Sequence, residues 1–255
     1  MNHKEYVRLV PGAETAVLFL HGIVGTPRHF DERLPLVHLV PENWSVYNLL
    51  LPGHGGSVDA FSASTMEDWK RYVWKTFDKL ATTHRQVIVV GHSMGTLFAI
   101  QIAMEKGEKI PFLFLIASPI CPKVGVSAVR HSVGLVFPSQ HADPKIQRAM
   151  SHSGSVTLTK KVWKYIPWIP NLWDLLAEAR KTKQLLPKLQ MKTIVFQSKS
   201  DELVSRRSET YLSQCLNAKI TVLANSTHFY YTGPEIRMVQ QAFLQACNEV
   251  NDEQT

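Results

Sequence analysis

Cysteine is scarce: Cys121, Cys215 and Cys247 are the only three in 255 residues, they form no Cys-x-x-Cys pair, and they cannot all pair within one chain. A disulfide framework and a paired-thiolate metal site are therefore excluded, the thiols are expected as buried apolar filler, and the pattern fits the reducing cytoplasm. Long apolar runs are missing as well. The longest, such as Phe112–Ala117, fall well short of the ~18 residues that would span a bilayer. The start, Met1-Asn2-His3-Lys4-Glu5-Tyr6, has no apolar stretch leading to a small-residue cleavage site and reads as carrying no export signal. There is no His-Glu-x-x-His and no P-loop, and Gly53-His54-Gly55-Gly56 lacks the glycine spacing of a dinucleotide loop. No metal, cofactor or nucleic-acid partner is expected. Internal repeats and low-complexity tracts are also absent from the sequence.

With 45% hydrophobic and 19% charged residues, what remains is a globular composition long enough for one sizeable core. Short β-branched and aliphatic runs alternate with stretches of helical period, the pattern of a mostly parallel sheet wrapped by helices. Strands are predicted near Tyr6–Val10, Val17–His21, Val46–Leu50, Val87–Val90, Phe112–Ala117, Thr193–Gln197 and Ile220–Leu223. Thr26-Pro27 reads as an N-cap with proline at the first helical position. Ser64-x-x-Glu67 reads as a capping box opening a helix that carries Trp69, Tyr72, Val73, Phe77 and Leu80. The last helix is predicted from about Pro234 to Asn248.

Between the fifth and sixth strands lie about 75 residues, far more than a βα connection needs. Residues 1–120 and 191–255 are expected to form the core and residues 121–190 an inserted subdomain. The chain's formal charge of +7 resides there: from Cys121 to Lys192 twelve bases face three acids, while the remainder carries a net −2. Trp163, Tyr165, Trp168 and Trp173 give the insert apolar material of its own, and these four could line a substrate pocket or form the insert's own core.

Chemistry concentrates after the fourth strand. Gly91-His92-Ser93-Met94-Gly95 is a Gly-x-Ser-x-Gly between a strand and a helix-like run from Thr96 to Lys106. Glycines suit a sharp turn in which a Cβ would strike a neighbouring strand or helix, and the turn lifts the serine clear at the helix N-terminus. His21-Gly22-Ile23 closes the second strand; with that loop beside Ser93, the N–H groups of Ile23 and Met94 could share a developing oxyanion.

A serine hydroxyl needs a base, and the base needs an orienting carboxylate. Of eleven histidines, His228 alone follows a late strand in a loop ahead of the final helix. His3, His29, His38, His84, His131, His141 and His152 read as surface or insert residues, His54 as ordering a loop at the site's edge, and His92 as too close in sequence to reach Ser93 Oγ easily. Asp201 follows the sixth strand and is the expected carboxylate, with Glu202 its local rival.

These motifs, together with Leu51-Pro52-Gly53-His54-Gly55, Ser200-Asp201-Glu202-Leu203-Val204 and Ser226-Thr227-His228, make the sequence resemble the α/β-hydrolase family, and within it small bacterial carboxylesterases and monoacylglycerol lipases. The resemblance implies an α/β-hydrolase fold with a helical lid, Ser93 as nucleophile, His228 as base, Asp201 as its orienter, Ile23 and Met94 as oxyanion donors, and no cofactor. Thr96 stands where many relatives have a second glycine. The implied activity is hydrolysis of small carboxylesters or monoacylglycerols. The basic insert keeps open a thioesterase or ester hydrolase acting on acyl-CoA or acyl-carrier protein, and a ligand receptor on the same fold is the non-enzymatic alternative.

Overall fold

The computed structural model describes residues 3–123, 156–157, 159 and 161–252. Among them seven strands form one sheet: β1 (Tyr6–Arg8), β2 (Thr15–Leu20), β3 (Ser45–Asn48), β4 (Gln86–His92), β5 (Phe112–Ile116), β6 (Lys192–Ser198) and β7 (Ala218–Leu223). Every predicted strand is present, each bound within two residues of its expected place. The spatial order is β1-β3-β2-β4-β5-β6-β7, with β1 antiparallel to β3 and the other pairs parallel.

β2 is buried along its whole length, because parallel strands covered on both faces need apolar residues at every position rather than at alternate ones. Its side chains divide by parity: Ala16, Leu18 and Leu20 enter one core, Val17 and Phe19 the other. Helix α1 (Val58–Ser62) precedes α2 (Met66–Thr83), which packs on the first of these faces through Trp69, Val73, Phe77 and Leu80. α3 (Met94–Lys106) is apolar all round and lies between the sheet and other helices. α4 (Trp168–Leu185) sits beside it, with Gln101 of α3 donating to Thr182 Oγ1 at 2.9 Å and to Glu178, and Lys70 of α2 pairing with Glu178 at 2.9 Å. The C-terminal part of the expected insert is thus joined to the main helical layer. α5 (Arg207–Leu212) follows β6, and α6 (Gly233–Asp252) covers the second face with Val239, Phe243 and Val250.

Two helix starts differ from expectation. The capping box of α2 sits one residue later: Thr65 Oγ1 accepts from Asp68 N–H at 3.2 Å while Asp68 accepts from Thr65 N–H at 3.0 Å. Ser64 is unable to cap because its hydroxyl is buried, donating back to Phe61 O at 2.9 Å and receiving Trp69 Nε1–H at 3.2 Å. After Thr26-Pro27 the chain makes only a five-residue π-helical turn, His29–Arg33, closed by Leu34 N–H on His29 O at 2.9 Å, with no capping side chain. Cys215 and Cys247 are buried, their thiols pushed up to about 11 and about 12, and Cys121 is half-buried. Among the described residues no helix is long and apolar enough to cross a membrane.

β3 and β4 lie on opposite sides of β2, so the connections leaving β2 and β4 depart in opposite directions. A crevice opens at the carboxyl ends of such strands. His21-Gly22 and Ser93 both lie at that edge, immediately after β2 and β4.

Candidate active site

Ser93 stands between β4 and α3 at φ +52°, ψ −125°, a backbone geometry that side-chain-bearing residues avoid. The flanking glycines make it feasible. A Cβ on Gly95 would lie 2.1 Å from Leu20 O, and one on Gly91 would lie 2.8 Å from the Gly95 carbonyl group. The turn is held by Ser93 N–H on Ile116 O at 2.9 Å and by Thr96 Oγ1–H on Ser93 O at 2.7 Å. Thr96 therefore ties down the turn's own carbonyl, a bond that glycine could not make.

His228 Nε2 lies 3.0 Å from Ser93 Oγ, and its Nδ1 lies 2.8 Å from Asp201 Oδ2. Both partners of the second contact are buried. The other oxygen of Asp201 accepts the N–H groups of Leu203 at 2.8 Å and Val204 at 2.7 Å, which fixes the carboxylate plane. Glu202 reaches the His228 loop at a different point: its Oε2 accepts the backbone N–H of His228 at 2.9 Å rather than the ring N–H. An ionised Asp201 requires the proton of His228 on Nδ1, leaving Nε2 to accept from Ser93 Oγ–H. Burial drives the His228 pKa down, but the charge and hydrogen bond of Asp201, with the charge of Glu202, outweigh it and raise it above the usual 6.5.

The loop carrying His228 is braced from several sides. Tyr231 Oη–H and His92 Nε2–H both donate to His228 O at 3.2 Å, and Ser198 Oγ–H donates to Thr227 O at 2.9 Å. At its base Glu235 of α6 accepts from Ser226 Oγ and from Asn225 N–H. Sequence reasoning missed these supports. Glu235, in the first turn of the last helix and ten residues beyond Asn225, carried the one readable signal.

The glycine loop after β2 runs directly against the serine, since a Cβ on Gly22 would lie 2.7 Å from Ser93 Cβ. His21 is neutral, burial lowering its pKa to about 4. Its Nε2 accepts from Leu51 N–H at 3.1 Å, so Nδ1 carries the hydrogen and donates to Gly22 O at 2.9 Å. Gly25 N–H reaches the same oxygen at 2.9 Å. In a trans peptide the N–H of Ile23 points opposite to that doubly held carbonyl, and it donates to no acceptor among the described residues. Met94 opens α3, where an N–H has no intrahelical acceptor. Val24, which follows Ile23, takes φ +55°, which for a β-branched side chain is strained.

The cleft beside Ser93 is lined by Gly22, Ile23, His29, Arg33, His92 and Phe229, among others. His29 and His84, expected at the surface, are buried, and His29 stacks on His92 with ring centroids 3.6 Å apart. His29 sits in the polar run Arg28-His29-Phe30-Asp31-Glu32-Arg33, which gave no sign that it faces a cavity. His54 is buried, donating Nδ1–H to Pro52 O at 3.1 Å and meeting the edges of His21 and Trp69. His131, His141 and His152 lie outside the described residues.

The four aromatics of the insert are not brought to this cleft. Trp163 and Trp173 are 60% and 65% exposed. Trp168 packs on Phe61 at 4.5 Å between centroids and donates to Ser62 Oγ, and Tyr165 Oη bonds to the backbone of Thr159. The insert also meets the loop between β3 and α1, where Thr157 N–H donates to Gly56 O at 2.9 Å.

The sequence profile of the alpha/beta hydrolase family matches residues 17–240, and the chain belongs to that family. A curated relative, the dihydrolipoyllysine-residue acetyltransferase component of the acetoin cleaving system of Cupriavidus necator, is 34% identical over 115 residues, 45% of this chain and 29% of that protein's length. The chain thus spans less than a third of that relative. Solved structures share the fold at low identity. One from the study of the metagenome-derived lipolytic enzymes LipS and LipT is 18% identical with a TM-score of 0.71, covering 96% of this chain and 98% of that one. A carboxylesterase structure from the thaumarchaeon Nitrososphaera gargenis is 16% identical with a TM-score of 0.68 over 96% and 95% of the two chains. The monoacylglycerol lipase of Paleococcus ferrophilus is 15% identical with a TM-score of 0.65 over 96% and 100%.

Proposed function

We propose that this chain is a serine hydrolase of small carboxylic esters, working through an acyl-enzyme intermediate. The observation that carries the reading is the continuous hydrogen-bonded chain from Ser93 Oγ through His228 to Asp201 at the switch point of an α/β-hydrolase sheet. His228 Nε2 takes the proton as Ser93 Oγ adds to the ester carbonyl, and Asp201 stabilises the imidazolium that forms. The negative oxygen of the tetrahedral intermediate meets the N–H groups of Ile23 and Met94, held in advance by the His21 contact and by the start of α3. His228 then returns the proton to the departing alkoxide, and water repeats the sequence in reverse on the acylated serine. Residues 121–190 serve in this reading as a lid hung on α4, which is fixed to α3, and the protein works in the cytoplasm.

The fold neighbours described as lipolytic enzymes, a carboxylesterase and a monoacylglycerol lipase support a carboxylester or monoacylglycerol as substrate. A thioester on an anionic carrier is the second reading, favoured by the twelve bases between Cys121 and Lys192. Turnover of 4-nitrophenyl esters, monoacylglycerols and acyl-CoA by the wild type and by Ser93→Ala tests both. Oxygen-ester turnover that falls by several orders of magnitude in the variant supports the first, and exclusive turnover of acyl-CoA, weakening as salt screens the lid's charge, supports the second. Equal turnover by the two proteins would exclude a Ser93 mechanism.

A further inference from the structure

Ester-binding clefts are mostly apolar with a few placed polar groups, and a charge is expensive to hold in one without a partner. The cleft beside Ser93 departs from this. Arg33, half-buried at the end of the π-helical turn, lines it, and no carboxylate does among the described residues. Glu32, whose charge also acts on Arg33, pairs with Arg28 at 2.6 Å, Asp31 pairs with His38 at 2.7 Å, and Asp201 and Glu202 bond to His228. Among the described residues Arg33 makes one hydrogen bond, Nη1–H to Phe229 O at 3.1 Å, which anchors the planar fork and leaves its other donors without a partner there.

A second observation points the same way. His29, also lining the cleft, is buried, and its Nε2 has no hydrogen-bond partner among the described residues. Burial, then the charge of Arg33, holds its pKa well below 6.5, so the ring is neutral and can offer either a donor or an acceptor. A buried polar atom without a partner is costly, and a bound group that completes its bonding is one explanation for it. The N-terminal end of α3 adds a positive dipole to the same wall.

We propose that Arg33, with His29 beside it, makes this cleft a receptor for a negatively charged oxygen group, so that the esters cleaved carry a carboxylate or phosphate close to the scissile bond. The proposal rests on Ser93 being the nucleophile; it adds the chemical class of substrate. The guanidinium fork matches either oxyanion in two parallel hydrogen bonds, and lysine would supply charge without that geometry.

The alternative role for Arg33 is a strap that holds the His228 loop through Phe229 O, and the test separates the two. Mono(4-nitrophenyl) glutarate and 4-nitrophenyl pentanoate present the same acyl length with and without a carboxylate. In Arg33→Met the ratio of their kcat/KM values, charged over neutral, should fall tenfold or more, chiefly through KM, with partial recovery in Arg33→Lys. A loss shared equally by both esters would overturn the proposal and leave Arg33 as the strap. Calorimetry with glutarate and with inorganic phosphate gives a readout that needs no turnover. The wild type should bind at least one of them, the tighter of the two naming the preferred oxyanion, and Arg33→Met should bind it at least tenfold more weakly. Unchanged binding in the variant, or no binding by the wild type, would overturn the inference even if esters are hydrolysed. Binding that depends on Arg33, in a protein that turns over neither ester, would instead overturn the hydrolase reading alone.

Discussion

Asp201 and Glu202 are neighbours with separate tasks, one on the ring of His228 and the other on its backbone. Asp201→Asn should lower kcat by roughly 10⁴, because an amide can leave the ring in the wrong tautomer. Glu202→Gln keeps an acceptor for the backbone N–H and should cost about tenfold or less. Steady-state kinetics of both variants decide the matter, and the reverse ranking would exchange their roles. The pH profile gives a second check. Since Asp201 raises the pKa of His228, the base form fills only above 6.5, so wild-type kcat/KM should climb with pH through a midpoint above that value. In Asp201→Asn the burial that opposes the charge is no longer outweighed, and the midpoint should move to lower pH. These residues were legible in the sequence because each sits in a loop just after a strand. His29 and Arg33 were not, since nothing in a linear pattern tells which side of a short turn faces a cavity.

At the scale of elements, the strands were readable because fully buried parallel strands leave unbroken aliphatic runs such as Ala16–Leu20, and turn residues bound them. Helix starts were less so. Ser64-x-x-Glu67 and Thr65-x-x-Asp68 are both plausible capping pairs, and tertiary packing chose between them by burying Ser64 under Trp69. Thr65→Ala should therefore destabilise the protein by about 1 kcal/mol, while Glu67→Ala should change stability by only a few tenths; chemical denaturation measures both. A larger loss at Glu67 would return the cap to the earlier residue. Thr26-Pro27 misled for a related reason: Thr26 Oγ1 contacts His3 Nδ1 at 2.9 Å, and the chain turns tightly to bring His29 and Arg33 to the cleft.

Across the whole molecule, the protonation of buried histidines ties stability to pH. His21, His29, His54 and His92 are buried with pKa values lowered by desolvation, His21 to about 4. Each favours the folded state fully above the unfolded value of 6.5 and gives up that contribution as pH falls toward its folded pKa. Each proton taken up only on unfolding is worth about 1.4 kcal/mol per pH unit in that window. His228 has the opposite sign: its raised pKa stabilises the fold fully below 6.5, and that benefit is lost as pH rises through the folded value. Four groups outnumber one, so the melting temperature should drop steeply between pH 6.5 and 4.5, with a smaller decline on the alkaline side. A flat profile on the acid side would mean these rings are not held neutral. The strands themselves, and the placing of Ser93, Asp201 and His228 in loops that follow strands, could be read along the chain, whereas the spatial order of the strands came from the structure. The insert could not be read this way. Its length and charge were evident, but the attachment of α4 to α3 rests on Gln101, Thr182 and Glu178, polar residues whose pairing shows only in three dimensions.

The most direct test of the central claim is the identity of the acylated residue. Treating the folded protein with a fluorophosphonate ester and mapping the adduct by peptide mass spectrometry should place one phosphonyl group on Ser93, with none on the Ser93→Ala protein. An adduct on any other residue, or no adduct on a protein that melts cooperatively, would contradict a Ser93 nucleophile.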